Sequence, residues 1–346
     1  MTDYRSAGVD LEAAEEAVDR IRSVVASTAR PEVVGGIGGF GGFFALDPGR
    51  WSSPLLVSTT DGVGTKSEVA RLLGRYDTIG LDCVAMSVDD LAVCGAEPLF
   101  FLDYVSVGRN DPAMVEALVA GVADGCRQAG CALVGGEISE HPGIMEPGQF
   151  DLVGFAVGVV EADGRLPRGV RPGDRVVGVA SPGLRSNGYT LARTVLLSDA
   201  AGGGRRLDEP AWPGADVTLG DELLRPSVIY SPALRSLASE VEVHAFAHVT
   251  GGGIPGNLAR VLPDGCGAEI RRGSWPEPRI FSVVAEAGGV AGDEMARVFN
   301  LGLGMLAVVP DGRAAAEAVE ALAGRGHAAF EVGCITDGAG VAVVDG

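Results

Sequence analysis

Leu55-Leu56-Val57-Ser58-Thr59-Thr60-Asp61-Gly62-Val63-Gly64-Thr65-Lys66-Ser67-Glu68-Val69-Ala70-Arg71-Leu72-Leu73-Gly74 is the stretch from which the fold can be read. Its apolar, β-branched opening from Leu55 to Thr60 predicts a strand. A glycine-spaced turn follows, and Ser67 to Leu73 predicts a short helix stopped by Gly74. Such a strand–turn–helix unit follows phosphate-loop logic without the Walker spacing. Gly62 and Gly64 let the amides around Thr65 approach an anion, and Lys66 brings positive charge. Asp61 beside that loop is useful to a phosphate only with a divalent cation, Mg²⁺, between them. Lys66 is also singular: of 27 basic residues, 26 are arginine and it alone is lysine. Surface positions accept either cation, so a solitary lysine in an arginine-biased chain marks a place for a compact ammonium. The competing reading is a chance survivor on a helix surface.

Outward from this unit, Leu11 to Val25 carries a helical stripe opened by Asp10 as N-cap. Gly35-Gly36-Ile37-Gly38-Gly39-Phe40-Gly41-Gly42-Phe43 contains a literal G-x-G-x-x-G, but Pro48, Gly49 and Pro54 deny it the helix a dinucleotide fold requires. Two readings stay open for it, a loop over phosphates and a structural hairpin. Thr78 to Cys94 predicts a helix, Leu99 to Val107 a strand, and Asp111-Pro112 the capped start of a helix ending at Gly130. Cys131 to Val134 and Asp151 to Val160 predict strands, the first ending in a Gly135-Gly136 turn before Glu137. Arg175 to Ala180 opens a second run of strands and helices that closes at Val341 to Val344.

Several polar groups interrupt this pattern. Asp89 and Asp90 break an apolar helix, with Cys83, Met86 and Cys94 at helical spacing around Asp90; a metal ligand is favoured there. The bland alternative is a solvated face holding Asp82 and Asp89, two turns apart. Leu184-Arg185-Ser186-Asn187-Gly188-Tyr189 opens a helix whose amides could meet an anion, or whose Ser186 or Asn187 simply caps it. From Glu242 to Thr250, alternation puts Glu242, His244, Phe246, His248 and Thr250 on one face, expected to look into a site, followed by Gly251-Gly252-Gly253.

The chain has 346 residues, a length that favours two domains, and 47% hydrophobic residues, enough for sizeable cores. Glycine, 53 residues in short clusters, points to tight loops rather than disorder. A net charge of −19 argues against nucleic acid, which needs a basic surface. Six cysteines show neither zinc spacing nor a C-x-x-C pair and read as reduced, buried thiols. Met1-Thr2-Asp3-Tyr4-Arg5 begins no signal peptide, and the longest apolar run, Leu152 to Val160, is too short for a membrane span. A cytoplasmic protein is expected. The turn-rich Glu161–Gly169 is the linker candidate, giving domains 1–168 and 169–346. Both are expected to be α+β or mixed α/β rather than doubly wound.

Taken together, these segments resemble the aminoimidazole ribonucleotide synthetase (phosphoribosylformylglycinamidine cyclo-ligase) family. The resemblance rests on Ala7-Gly8-Val9-Asp10, Arg30-Pro31-Glu32-Val33, Gly35 through Phe40, Asp61 through Lys66 and Tyr76 through Gly80. It continues in Cys94 through Phe100, Leu133 through Glu137, Ser186 through Tyr189, His244, His248 through Gly253, and Gly302 with Gly304-Met305. It implies a two-domain homodimer whose N-terminal, ATP-binding domains pair into a central β-barrel-like sheet, while the C-terminal α/β domains complete the sites. It also implies a Mg²⁺-dependent ring closure in purine biosynthesis: ATP phosphorylates the substrate's formyl oxygen, an internal nitrogen attacks that carbon, and phosphate leaves.

Carried over residue by residue, the resemblance gives Asp61 and Asp90 to magnesium and counts Lys66 and His248 with them in catalysis. It places Gly35, Gly36, Gly38, Gly39, Phe40, Gly62, Gly64, Thr65 and Asp89 toward the nucleotide. Toward the substrate it places Glu137, Arg185, Ser186, Asn187, Gly188, Thr250, Gly251 and Gly252. Three positions depart from the family's pattern. Arg5 or Ser6 stands where a lysine is expected, Ile138 replaces a threonine, and Arg185 a histidine. Isoleucine cannot hydrogen-bond a phosphate, and arginine cannot act as a neutral base. A paralogue acting on another amide or formamide, and a nucleotide-binding subunit without catalysis, are the alternative readings.

Overall fold

The computed structural model describes residues 4–198 and 203–345. Met1-Thr2-Asp3 of the opening stretch lies outside them. Two compact units are present. The first runs through Leu91 and resumes over Glu97–Ala162; the second comprises Ala92–Ala96 and the chain from Asp163 onward. The last of the three changes between them, after Ala162, falls within Glu161–Gly169.

In the first unit, α1 (Leu11–Ala26) starts where Asp10 accepts the Ala13 N–H at 3.3 Å, the N-cap read from the sequence. Two short strands, β1 (Val33–Val34) and β2 (Phe43–Phe44), pair antiparallel, so the glycine-rich segment is the loop of a hairpin. Then come β3 (Pro54–Gly62), α2 (Lys66–Leu73), α3 (Ile79–Val93), β4 (Glu97–Val107), α4 (Pro112–Ala129), β5 (Ala132–Glu140) and β6 (Phe150–Glu161). The sheet order is β3-β6-β4-β5, with β4 and β5 parallel and the other neighbours antiparallel. A Cβ on Gly80 would collide with the α4 backbone at Val122, so glycine is what lets α3 lie so close to α4.

Residues 135 and 136 form no turn. Strand β5 continues through them to Glu140, because Gly136 lies opposite Asp103 and any Cβ there would collide with the Asp103 carboxylate.

The second unit contains β7 (Arg175–Ala180), α5 (Tyr189–Leu197), α6 (Leu219–Leu223), α7 (Ser231–Glu240), β8 (Ala245–His248) and α8 (Gly253–Leu258). These precede β9 (Cys266–Arg272), α9 (Arg279–Gly288), α10 (Gly292–Val298), β10 (Leu303–Val309), α11 (Gly312–Ala323), β11 (Ala329–Asp337) and β12 (Gly340–Asp345). Its sheet runs β12-β9-β11-β7-β10-β8, antiparallel except for β12 beside β9. The mixed α/β character expected for both halves is therefore present. Val177, Phe246, Met305 and Ala307 of this sheet pack with Tyr230, Leu234 and Leu322 in one buried cluster. Each large apolar side chain so buried contributes about 1.5–3 kcal/mol.

The alternation over Glu242–Thr250 is corrected here. Only Ala245–His248 forms the strand, and all four residues are buried. Phe246, opposite Ala307, belongs to the core, while His248, opposite Met305 at the end of the strand, is buried beside Arg185. No described helix is long and apolar enough to cross a membrane.

Candidate active site

In the first unit the polar groups gather where β3 meets α2 and α3. Asp61 stands one residue before the end of β3, and its Oδ1 accepts the Gly62 N–H at 2.8 Å. Gly64 takes φ 58°, a turn conformation that costs glycine little, and Thr65 precedes α2. Lys66 opens α2 with no solvent exposure, and its Nζ lies 2.7 Å from Asp82 Oδ2, equally buried. The chance-survivor reading of the lone lysine fails, because the side chain is not on a surface. The solvated-face reading of Asp82 and Asp89 fails as well: both are wholly buried, while Asp90 is half-buried.

A row of residues crosses the sheet in register: Asp61 on β3, Gly154 on β6, Asp103 on β4 and Gly136 on β5. Cross-strand partners share a face. A Cβ on Gly154 would come within 3.0 Å of Cys83 Sγ, so this face looks toward α3. Burial pushes the Cys83 thiol well up, and the negative charges of Asp103, Asp61, Asp82 and Asp151 add to the rise. Burial likewise pushes the Asp103 carboxyl up to about 7, against a small opposing hydrogen bond from its own backbone. Asp82 and Asp103 are the residues that sequence reasoning missed. Asp103 left a signal, an acid within the apolar strand Leu99 to Val107, and Asp82 entered only the alternative reading, as part of a solvated face.

The hairpin and α1 bound a cavity of about 280 Å³, lined by Arg22, Val25, Gly35, Gly36, Phe43 and Leu133 among others. Gly38, Gly39 and Phe40 are not in its lining, and Phe40 is fully exposed. Glu137 is exposed on β5, where it accepts the Ile138 N–H at 2.9 Å.

Among the described residues no three His, Cys, Asp or Glu side chains gather as a protein-only metal cage. Mg²⁺ in nucleotide sites uses one or two carboxylates and completes its shell with phosphate oxygens and water. Hard oxygen donors such as Asp61 and Asp90 fit that chemistry.

In the second unit two loops are stitched together. Arg185 Nη2 lies 3.0 Å from His248 Nε2, and Asn187 Oδ1 accepts the Gly251 N–H at 3.1 Å. Ser186 is buried, and Gly188 at φ 77° precedes α5, where a Cβ would strike Phe299. Neither Ser186 nor Asn187 caps α5, because Gly188 occupies the cap position. Gly252, at φ 101°, precedes α8, and Asn257 Nδ2 donates to the Thr250, Gly251 and Gly253 carbonyls at 2.8–3.3 Å. His244 is engaged elsewhere, its Nδ1 2.6 Å from Asp174 Oδ2 and its Nε2 3.2 Å from Glu242 Oε1.

Two layered α/β units, one with an acid-rich strand–turn–helix and the other with glycine loops opening helices, define a class. The chain belongs to the AIR synthase related family: the models of its N-terminal and C-terminal domains match residues 50–160 and 171–346. Phosphoribosylformylglycinamidine cyclo-ligase of Myxococcus xanthus (strain DK1622) is 51% identical to it over 348 residues, covering 99% of each chain. In fold the chain is similar to a crystal structure of thiamine-monophosphate kinase from Stenotrophomonas maltophilia K279a, with TM-score 0.70, 21% identity and 95% of each chain covered. It is also similar to hydrogenase maturation protein HypE in complex with ATP, with TM-score 0.61, 19% identity, and 92% and 86% of the two chains covered.

Proposed function

We infer that this chain is an ATP-dependent ligase of purine biosynthesis that closes the imidazole ring of formylglycinamidine ribonucleotide. The observation that carries the reading is 51% identity to a cyclo-ligase over 99% of both chains. In the reaction the formyl oxygen takes the γ-phosphoryl group of ATP, which turns a poor leaving group into a good one. The ring-forming nitrogen then attacks that carbon, the C–O bond breaks, and phosphate leaves with ADP as the other product. Little covalent help is needed from protein; positioning, charge neutralisation and exclusion of water carry the catalysis.

We assign the nucleotide to the first unit. The amides of Gly62 and Gly64 would lie along the phosphates, with Thr65 and Asp89 nearby and the Gly35–Phe40 loop toward the nucleotide. Magnesium, held by Asp61 and Asp90, would neutralise charge on the triphosphate. Lys66 acts from beneath this loop, where its pairing with Asp82 fixes the start of α2. We assign the substrate to Glu137 and, in the second unit, to the stitched loops carrying Arg185–Gly188 and His248–Gly252. We keep the domain boundary proposed from the sequence, 1–168 and 169–346, six residues beyond the change of compact unit at Ala162–Asp163, and assign the reaction to the cytoplasm.

A homodimer completes the reading. Leu56 on β3, Phe155 on β6 and Tyr104 on β4 are 67%, 39% and 37% exposed. They lie on the sheet face opposite Asp61 and Asp103, an apolar surface suited to a second copy.

Release of ADP by the purified chain with ATP, Mg²⁺ and formylglycinamidine ribonucleotide tests the assignment. ADP release only with another amide would instead favour the paralogue, which Arg185 and Ile138 keep in view. Nucleotide binding without turnover would identify a silent subunit.

A further inference from the structure

Arg185 stands where the family pattern has a histidine, and the structure surrounds it with an unusual set of partners. Its backbone has φ 63°, a left-handed conformation that a side-chain-bearing residue adopts only when its surroundings enforce it. It is 2% exposed. Its guanidinium carbon lies 4.8 Å from the centre of the Tyr230 ring, and Nη1 donates to the Val228 carbonyl at 2.9 Å. Tyr230 is itself fixed, because its hydroxyl donates to the Ala180 carbonyl at 2.7 Å. Gly304 leaves room for that ring, since any Cβ there would run into it. A further directed contact runs from Nη2 to His248 Nε2 at 3.0 Å, with His248 5% exposed at the end of β8.

A guanidinium offers only N–H donors and stays charged throughout the working range of pH. The nitrogen it meets must therefore be the bare acceptor of a neutral imidazole. We propose that Arg185 is a positioning residue that fixes His248 in its Nδ1–H tautomer, with Nε2 occupied as an acceptor. His248 then carries its ring proton on Nδ1, and Nε2 does not take one up. The stacking on Tyr230 and the Val228 carbonyl aim the guanidinium; the second stitch, Asn187 to Gly251, holds the two loops at the spacing this contact needs. The inference deepens the cyclo-ligase reading and rests on it only for placing these loops at the substrate.

Two-bond ¹H–¹⁵N correlation spectra of protein labelled in its histidine rings read the tautomer directly. The chain has four histidines, and His248→Gln identifies the signal of interest. We expect the His248 ring to show a protonated Nδ1 and a bare Nε2 at neutral pH. In Arg185→Met, which removes the donor while keeping bulk, that pattern should give way to the Nε2–H tautomer or to a doubly protonated ring. A wild-type ring that is Nε2–H or doubly protonated overturns the proposal, as does an unchanged pattern in Arg185→Met. The wild-type spectrum decides alone should that variant not fold. Absence of ADP release would instead strike the cyclo-ligase reading and leave the spectrum standing.

Discussion

Lys66 and Asp82 meet at 2.7 Å with neither side chain exposed to solvent. Each charge has been taken out of water, and the pair persists because each compensates the other. Asp82→Asn leaves a buried ammonium without its counter-charge and should cost about 3–5 kcal/mol of stability, read from urea denaturation. Replacing both partners, as Lys66→Met with Asp82→Leu, should recover much of that loss. A double variant no more stable than Asp82→Asn would contradict this account of the pair.

Asp90 of the proposed metal pair is half-buried on α3, as Asp61 is near the end of β3, whereas Asp89 is wholly buried. Asp90→Asn should lower the rate of ADP release at least about tenfold, a barrier change of about 1.4 kcal/mol, with the unfolding midpoint unchanged. Wild-type turnover in that variant would remove Asp90 from the site. Lys66→Arg is a poorer probe, because a wider head group in a fully buried position disturbs packing as well as charge.

The Asp103 carboxyl, pushed up to about 7 by burial, gives stability a pH dependence of definite sign. Between about pH 4 and 7 the unfolded chain has released this proton and the folded chain keeps it. Its contribution to stability therefore falls as pH rises through that window and levels off above it. Asp103→Asn should remove this component, so the difference in urea midpoint between variant and wild type should grow with pH up to about 7 and then stay constant. A constant difference across the window would show that Asp103 titrates as an ordinary carboxylate.

Gly136→Ala should act on the same carboxylate, since the added methyl would occupy the space of Asp103 Oδ1. A loss of about 1–3 kcal/mol is expected from such overpacking, and part of it should disappear in Asp103→Ala, where the carboxylate is gone and only the clash with the Asp103 carbonyl, 2.6 Å from the new methyl, remains. Equal losses in both backgrounds, measured by thermal unfolding, would show that the backbone carbonyl and not the carboxylate carries the clash.

Phe155→Asp places a charge on the exposed sheet face beside Leu102 and Thr60. If that face is covered by a second copy, sedimentation should show the variant as a monomer under conditions where the wild type is a dimer. A dimeric variant would move the interface elsewhere.

Much of the fold was legible because its signals are local. The Asp10 and Asp111 caps, the proline after Asp111, and the glycines closing α2 and α4 act within a few residues of the backbone they shape. The Gly135-Gly136 turn was misread because glycine's usual meaning is local, whereas here the reason is a carboxylate on a neighbouring strand. His244 and His248, four residues apart, diverge because Asp174 takes one and Arg185 the other, and neither partner is near in sequence.

Local chemistry along the chain accounts for the succession of helices and strands, the family, and a short list of unusual residues, Lys66 foremost. What those residues do to one another follows from the packing of distant segments. Whether an acid is solvated like Glu137 or sealed like Asp82, and whether a histidine nitrogen gives or accepts a proton, depends on the dielectric and the partners supplied by distant segments. Those surroundings exist only after the sheet registers have formed.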